Sequence, residues 1–147
     1  MQAQFQTEFL QRYPNFFRSP GMRLVDPDVI PGLLVDDLAP FDQRGIECED
    51  GWFDLIDRLS RACENEIGML IAKDVPKERW PRVAQIKEKM GGLRFYVNGP
   101  LSDELRTLIL QVENIDSLCT CERCGAPGKL REGRWRHTHC DNCAATE

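Results

Sequence analysis

Hydrophobic positions recur along this chain with two different periods. Between residues 52 and 70, Trp52, Leu55, Ile56, Leu59, Cys63, Ile67 and Leu70 step by three or four residues, while Asp54, Asp57, Arg58, Arg61 and Glu64 fall opposite. That period predicts an amphipathic helix, with Asp50 placed to cap its first turn. A second helical stripe runs through Leu105, Leu108, Ile109, Val112, Ile115 and Leu118, with Ser102 as its cap and Asp103 and Glu104 where the helix dipole favours negative charge. Phe5, Phe9 and Leu10 predict a short opening helix that Pro14 ends. In contrast, Leu93, Phe95 and Val97 alternate with Arg94 and Tyr96, the period of a strand. The run before it is open to two readings. Val83, Ile86 and Met90 fit a helix stopped by Gly91, but "VAQIKEK" and "LRFYV" also read as a hairpin turning at Met90-Gly91-Gly92, which the Gly-Gly pair favours.

Residues 18–48 contain Pro20, Pro27, Pro31 and Pro40. Proline removes backbone donors, so this segment predicts loop and edge strand, with "PGLLVDDL" as one short strand. These elements imply an α+β class: a small antiparallel sheet, two or three helices, and a C-terminal metal-binding ribbon or treble-clef-like knuckle. The expected division is a body over 1–118, with 18–48 as its irregular part, and a subdomain over 119–147 packed on it.

The cysteines define that last segment. Cys121 and Cys124 are one Cys-x-x-Cys pair, Cys140 and Cys143 a second, and fifteen residues separate them. This spacing matches a four-cysteine zinc ribbon, because each turn presents two sulfurs to one tetrahedral ion. Gly125 lets the backbone fold around the first pair, and "KLREGRWRHTH" supplies a hairpin between the two. Cys119, His137 and His139 are possible substitutes. Four protein ligands leave zinc no open position, so the expected Zn2+ is structural. A tail this short cannot build its own core, and in small zinc modules the metal supplies on the order of 10 kcal/mol of folding free energy. Cys63 lies on the apolar stripe and reads as a small buried hydrophobe. Seven cysteines, clustered late, suit a reducing cytoplasm better than a disulfide framework.

The net charge of −5 hides a segmented pattern. Residues 26–66 hold twelve Asp/Glu against three Lys/Arg, whereas residues 73–94 hold seven Lys/Arg against three Asp/Glu. The acidic stretch, with Asp26, Asp28, Asp36, Asp37, Asp42, Glu47 and Glu49, is a candidate surface for a protein partner with a basic groove, because steering follows the local field. Lys87, Lys89 and Arg94 near Tyr96, and Lys129, Arg131, Arg134 and Arg136 around the knuckle, are the alternative, a nucleic-acid surface. Strand alternation would put Trp135 opposite Arg134 and Arg136, facing the core. With two histidines and no phosphate loop, nucleophile elbow or deaminase signature, the chain offers no residue set for catalysis. A metal-dependent enzyme, with Asp50, Asp54 and Asp57 on one helix side, is the least favoured reading. No run of 18 apolar residues predicts a membrane span, and the N-terminus lacks the pattern of a secretory signal.

Taken together, "GWFDLIDRL", "QIKEKMGGLRFYV" and "CTCERCGAPG" resemble a set of small uncharacterised bacterial and phage proteins. Those share a Gly-Trp-led helix, a Lys-Glu-Lys-aromatic-Gly-Gly-Leu-Arg-Phe-Tyr block and a C-terminal cysteine knuckle. The resemblance covers roughly residues 45 to 143, with Met90 standing where the block has an aromatic. It implies an accessory protein of phages or mobile elements directed at a host protein, for instance as an inhibitor of a defence factor, and carries no biochemical activity with it.

Overall fold

The computed structural model describes residues 1–24, 34–36 and 38–146. In chain order the elements are α1 (Ala3–Arg12), β1 (Met22–Leu24), β2 (Leu34–Asp36), α2 (Pro40–Arg44), β3 (Ile46–Glu47), α3 (Phe53–Ala72), β4 (Arg82–Lys89), β5 (Gly92–Asn98), α4 (Asp103–Gln111), β6 (Lys129–Arg131), β7 (His137–His139) and α5 (Asp141–Ala144). The class is α+β, with three longer helices and two short ones among the described residues. The hydrophobic pattern does not reveal α2 and β3: Pro40 sits in the first turn of α2, where a missing donor is harmless, and β3 is two residues long.

The stripe leading into and along α3 buries Trp52, Ile56, Leu59, Cys63 and Ile67 completely. Its start differs from the expected one. A single 3-10 turn, Asp50–Trp52, precedes the helix, and Asp50 accepts the Gln2 backbone N–H (2.8 Å) instead of capping α3. Asp57, placed by the period on the solvent face, is only 8% exposed. It accepts from Tyr13 Oη (2.6 Å), Arg12 (2.9 Å) and Arg61, so three donors offset the desolvation of one carboxylate. Ser102 does cap α4, accepting from Leu105 N at 3.2 Å.

Residues 82–98 form the hairpin. Lys89 pairs with Gly92, leaving Met90 and Gly91 as a two-residue turn with φ of 55° and 83°. Two positive φ angles are the signature of a type I′ turn, whose twist matches that of the flanking strands. The three-stranded sheet runs β3-β4-β5 and is mixed, because β3 joins β4 in parallel. Opposite pairs are Gln85–Tyr96, Ile86–Phe95 and Lys87–Arg94. Ile86, Leu93 and Phe95 therefore face the helices, and Gln85, Lys87, Arg94 and Tyr96 share the other side. The core against the first side is aromatic: Phe9 stacks on Phe53 at 4.7 Å, Phe16 on Phe95 at 5.7 Å, and Phe17 meets Phe41 at 5.3 Å.

After α4 the chain makes a π-helical turn over Val112–Asp116. The wider turn places Glu113 and Ser117 along the free edge of β5. Phe95 N donates to Glu113 Oε1 (2.7 Å) and Leu93 N to Ser117 Oγ (3.1 Å), so side chains satisfy the edge amides that another strand would otherwise seek.

Candidate metal centre

Cys121 and Cys124 lie in a tight turn closed by Gly125 N to Cys121 O (2.9 Å) and Cys121 N to Ala126 O (2.8 Å). Gly125 adopts φ 77°, which a side chain would resist. The β6–β7 hairpin follows, with Arg131 opposite His137, and Cys140 then begins α5, its Sγ accepting the Cys143 N–H at 3.4 Å. This order, a cysteine turn, a hairpin and a helix bearing the second pair, is treble-clef-like. It draws four sulfurs together: the Sγ atoms of Cys121, Cys124, Cys140 and Cys143 all lie within 4.8 Å of one another. The separation between Cys124 and Cys140 is 3.7 Å. A tetrahedral zinc with bonds near 2.3 Å requires sulfur–sulfur edges of about 3.8 Å. The donor set and its spacing fit such an ion.

The electrostatics point the same way. Burial pushes the Cys121 thiol up, but backbone N–H groups of Cys140, Cys124 and Arg123 aimed at its sulfur outweigh that and bring it down to about 7. Cys143 is pushed up to about 12 by the sulfurs of Cys140 and Cys124 beside it. Four thiolates this close repel one another, and a cation is what relieves the repulsion. Cys119, His137 and His139 stay outside the cluster. The two histidine rings pack on each other, centroids 4.3 Å apart.

The knuckle is bonded to residues far away in sequence. Gly51 N donates to Glu122 O (2.7 Å), Trp52 Nε1 to Thr120 O (2.8 Å) and Glu49 N to Glu122 Oε1 (3.1 Å). On the other side Thr138 Oγ1 donates to Gly91 O at 2.6 Å. Two glycines permit these approaches. A Cβ on Gly51 would sit 2.2 Å from Cys121 O, and one on Gly91 would sit 2.3 Å from Leu130 Cδ1. The Gly-Trp turn and the Gly-Gly hairpin tip are thus two places where the rest of the chain grips the knuckle. Glu122, only 7% exposed, lies in this junction, and burial raises its carboxyl to about 7. Nothing in the local sequence signals that burial, since Glu122 stands between two cysteine-turn residues with no apolar period around it.

The charged candidates divide sharply. Asp26, Asp28 and Asp37 lie outside the described residues. Asp36 lies in β2. Asp42 is half-buried, pairs with the buried Arg82 and accepts the Ala39 N–H at 2.8 Å. Glu47 accepts from Gln85 (3.0 Å) and pairs with Arg44 (3.6 Å), and Glu49 pairs with Arg123 (3.4 Å). Among the cations, Lys129 and Arg131 share Asp141, and Arg136 pairs with Glu132. Trp135 does not face the core. Residues 132–136 form an open loop rather than strand, alternation does not apply there, and Trp135 is 77% exposed. Asp50, Asp54 and Asp57 are not drawn together as a metal site among the described residues: Asp50 lies in the turn before α3 and accepts from Gln2 N, and two guanidinium groups and a phenol hold Asp57.

Fold and site together define an α+β chain closed by a four-cysteine knuckle able to hold a metal ion. Comparisons with protein-family models, curated proteins and solved structures find no match to this chain. No helix among the described residues is long and apolar enough to cross a membrane.

Proposed function

We propose that this chain is a non-catalytic binding protein whose C-terminal knuckle is stapled by zinc. The observation that carries this reading is the closed set of four sulfurs within 4.8 Å. An all-thiolate tetrahedral site favours zinc, and with four protein ligands no position remains for a water or substrate. The metal then acts on shape: it fixes the backbone onto which the Gly51-Trp52 turn and the Met90-Gly91 tip dock. Metal analysis of the purified chain is expected to give one zinc per molecule, and stripping it under reducing conditions to lower the melting temperature sharply. A chain that folds with no metal bound removes the staple.

The resemblance supports a partner-directed role, that of a phage or mobile-element product acting on a host protein. The excess of negative charge over residues 26–66 supplies a field suited to a basic groove on that partner. Asp36→Lys with Asp37→Lys tests this reading, because Asp42 is already committed to Arg82. A purified partner bound equally well by wild type and variant would rule the acidic surface out.

A further inference from the structure

The side of the sheet turned away from the helices has a composition of its own. Lys87 and Arg94 sit directly opposite each other, Tyr96 is diagonal to Lys87, and Lys89 closes the strand beside the turn. Lys87 Nζ lies 5.9 Å from the centroid of the Tyr96 ring, and Tyr96 is 42% exposed. Among the described residues none of Lys87, Lys89 and Arg94 has a carboxylate partner: Arg94 donates to its neighbour's backbone, Leu93 O, at 2.7 Å. Among the described residues the one acid in register with them is Glu47, opposite Lys87, and its charge is met by Arg44 at 3.6 Å. This face therefore keeps its positive charge although the molecule as a whole is acidic.

It also continues past the hairpin tip. Gly91 is seated on the knuckle, where an added Cβ would lie 3.2 Å from His137 N, so the 132–136 loop with Trp135 and Arg134 adjoins the end of β4. From Tyr96 to the tip is five residues, about 17 Å of strand. Tyr96 stands at one end of this strip, the loop that carries the exposed Trp135 adjoins the other, and cations lie between. Lysines at i and i+2 project to one side about 7 Å apart, the arrangement needed to follow an extended polyanion. Exposed aromatic faces add what a polyanion alone does not use: they stack unpaired bases, which a duplex keeps hidden.

We propose that this face, Lys87, Lys89, Arg94 and Tyr96 together with Trp135 of the knuckle loop, binds single-stranded nucleic acid. It rests on the reading of the chain as a binding module and names the ligand of a surface separate from the acidic stretch. The zinc enters indirectly, because the knuckle sets where Trp135 stands relative to the sheet.

The test uses the zinc-loaded full chain and fluorescence anisotropy with a labelled oligothymidylate of about 20 nucleotides, long enough for one module. The same strand in duplex form and a polyglutamate of similar length serve as competitors. Three neutralised phosphates on a single strand give a salt slope near −2, so affinity should fall about 20-fold between roughly 50 and 200 mM salt. Lys87→Gln, Lys89→Gln and Arg94→Gln combined should flatten that slope. Tyr96→Ala and Trp135→Ala should each weaken binding about 10-fold, the range expected of one stacked base. Metal content and melting temperature, measured on every variant, separate loss of ligand from loss of fold. The absence of oligonucleotide binding at low salt, with zinc and melting temperature intact, overturns this proposal and leaves the stapled module standing. Binding that survives the triple charge variant, or that polyglutamate displaces as well as a single strand does, also overturns it. A chain without zinc contradicts the earlier reading instead, and shows in the metal analysis before any titration.

Discussion

Substituting alanine at two glycines tests how the knuckle is held. Gly51 packs its Cα against knuckle backbone: an added Cβ would lie 2.2 Å from Cys121 O, 2.5 Å from Glu122 O and 2.5 Å from Gly125 N. All three are main-chain atoms of the Cys121–Gly125 turn, so no side chain can swing aside. Gly51→Ala must push turn and knuckle apart by roughly an ångström. That movement strains or breaks the bonds from Gly51 N, Trp52 Nε1 and Glu49 N to Thr120 and Glu122. Each such bond is worth about 1 kcal/mol net, and overpacking at one site costs about 1–3 kcal/mol. Partial relief by backbone adjustment brings the expected loss to about 3 kcal/mol, or about 6–12 °C in melting temperature for a chain of this size. Gly68 is the control. It lies on the exposed side of α3 with nothing within 4 Å of where a Cβ would stand, so Gly68→Ala should stabilise the protein by about 0.5–1 kcal/mol through helix propensity. Urea unfolding of both variants at saturating zinc provides the assay. Equal stability of Gly51→Ala and wild type would refute the tight junction, whatever the behaviour of Gly68→Ala.

Thiol reactivity of the native zinc-loaded chain should show one fast cysteine, Cys119, which is exposed and outside the cluster. Cys48 and Cys63 are buried, and burial above all pushes both thiols up, Cys48 to about 12, so they stay protonated and unreactive near neutral pH until the chain unfolds. The four clustered thiols should react only after the metal is stripped; fast labelling of Cys48 or Cys63 in the folded protein would contradict this. At the hairpin tip Met90 holds φ 55° with its side chain in solvent, so Met90→Asn should gain about 1 kcal/mol, readable as a rise of about 2–4 °C in melting temperature. Glu113→Ala should leave the Phe95 amide without its acceptor, speed its hydrogen exchange and lower stability by about 1–2 kcal/mol, while the Leu93 amide, held by Ser117, stays protected.

Periodicity makes the long elements legible because burial dictates it. The stripe on α3 and the alternation along β5 each answer to one apolar surface, and both run as the hydrophobic pattern places them. The four sulfurs brought together are those whose spacing suggests two paired turns. What the pattern misses depends on partners distant in sequence. Asp57 reads as a solvent-facing acid until Arg12 and Tyr13, forty-odd residues away, come to meet it. Asp50 reads as a cap until the chain's own N-terminus takes its carboxylate. Trp135 escapes the pattern because it stands in a five-residue loop, where no ladder enforces alternation.

The blocks that give the sequence its distinctive look are explained by the same geometry. Gly51-Trp52 and Gly91 are separated by about forty residues and belong to a helix start and a hairpin tip, yet both end against the knuckle backbone. Gly51 is glycine because Cys121 and Glu122 carbonyls occupy the space of a side chain, whereas Gly91 combines positive φ with a Leu130 methyl and the His137 backbone close by. Trp52 is the tryptophan of its stripe because its ring fills the core while its indole N–H reaches Thr120 O, a bond no aliphatic residue can make. Replacing Trp52 with leucine would thus both open a cavity and strand a carbonyl next to the metal turn. A knuckle held at two such points transmits its shape to the sheet face beside it. A metal held by the four sulfurs would thereby fix where the 132–136 loop stands beside the hairpin tip.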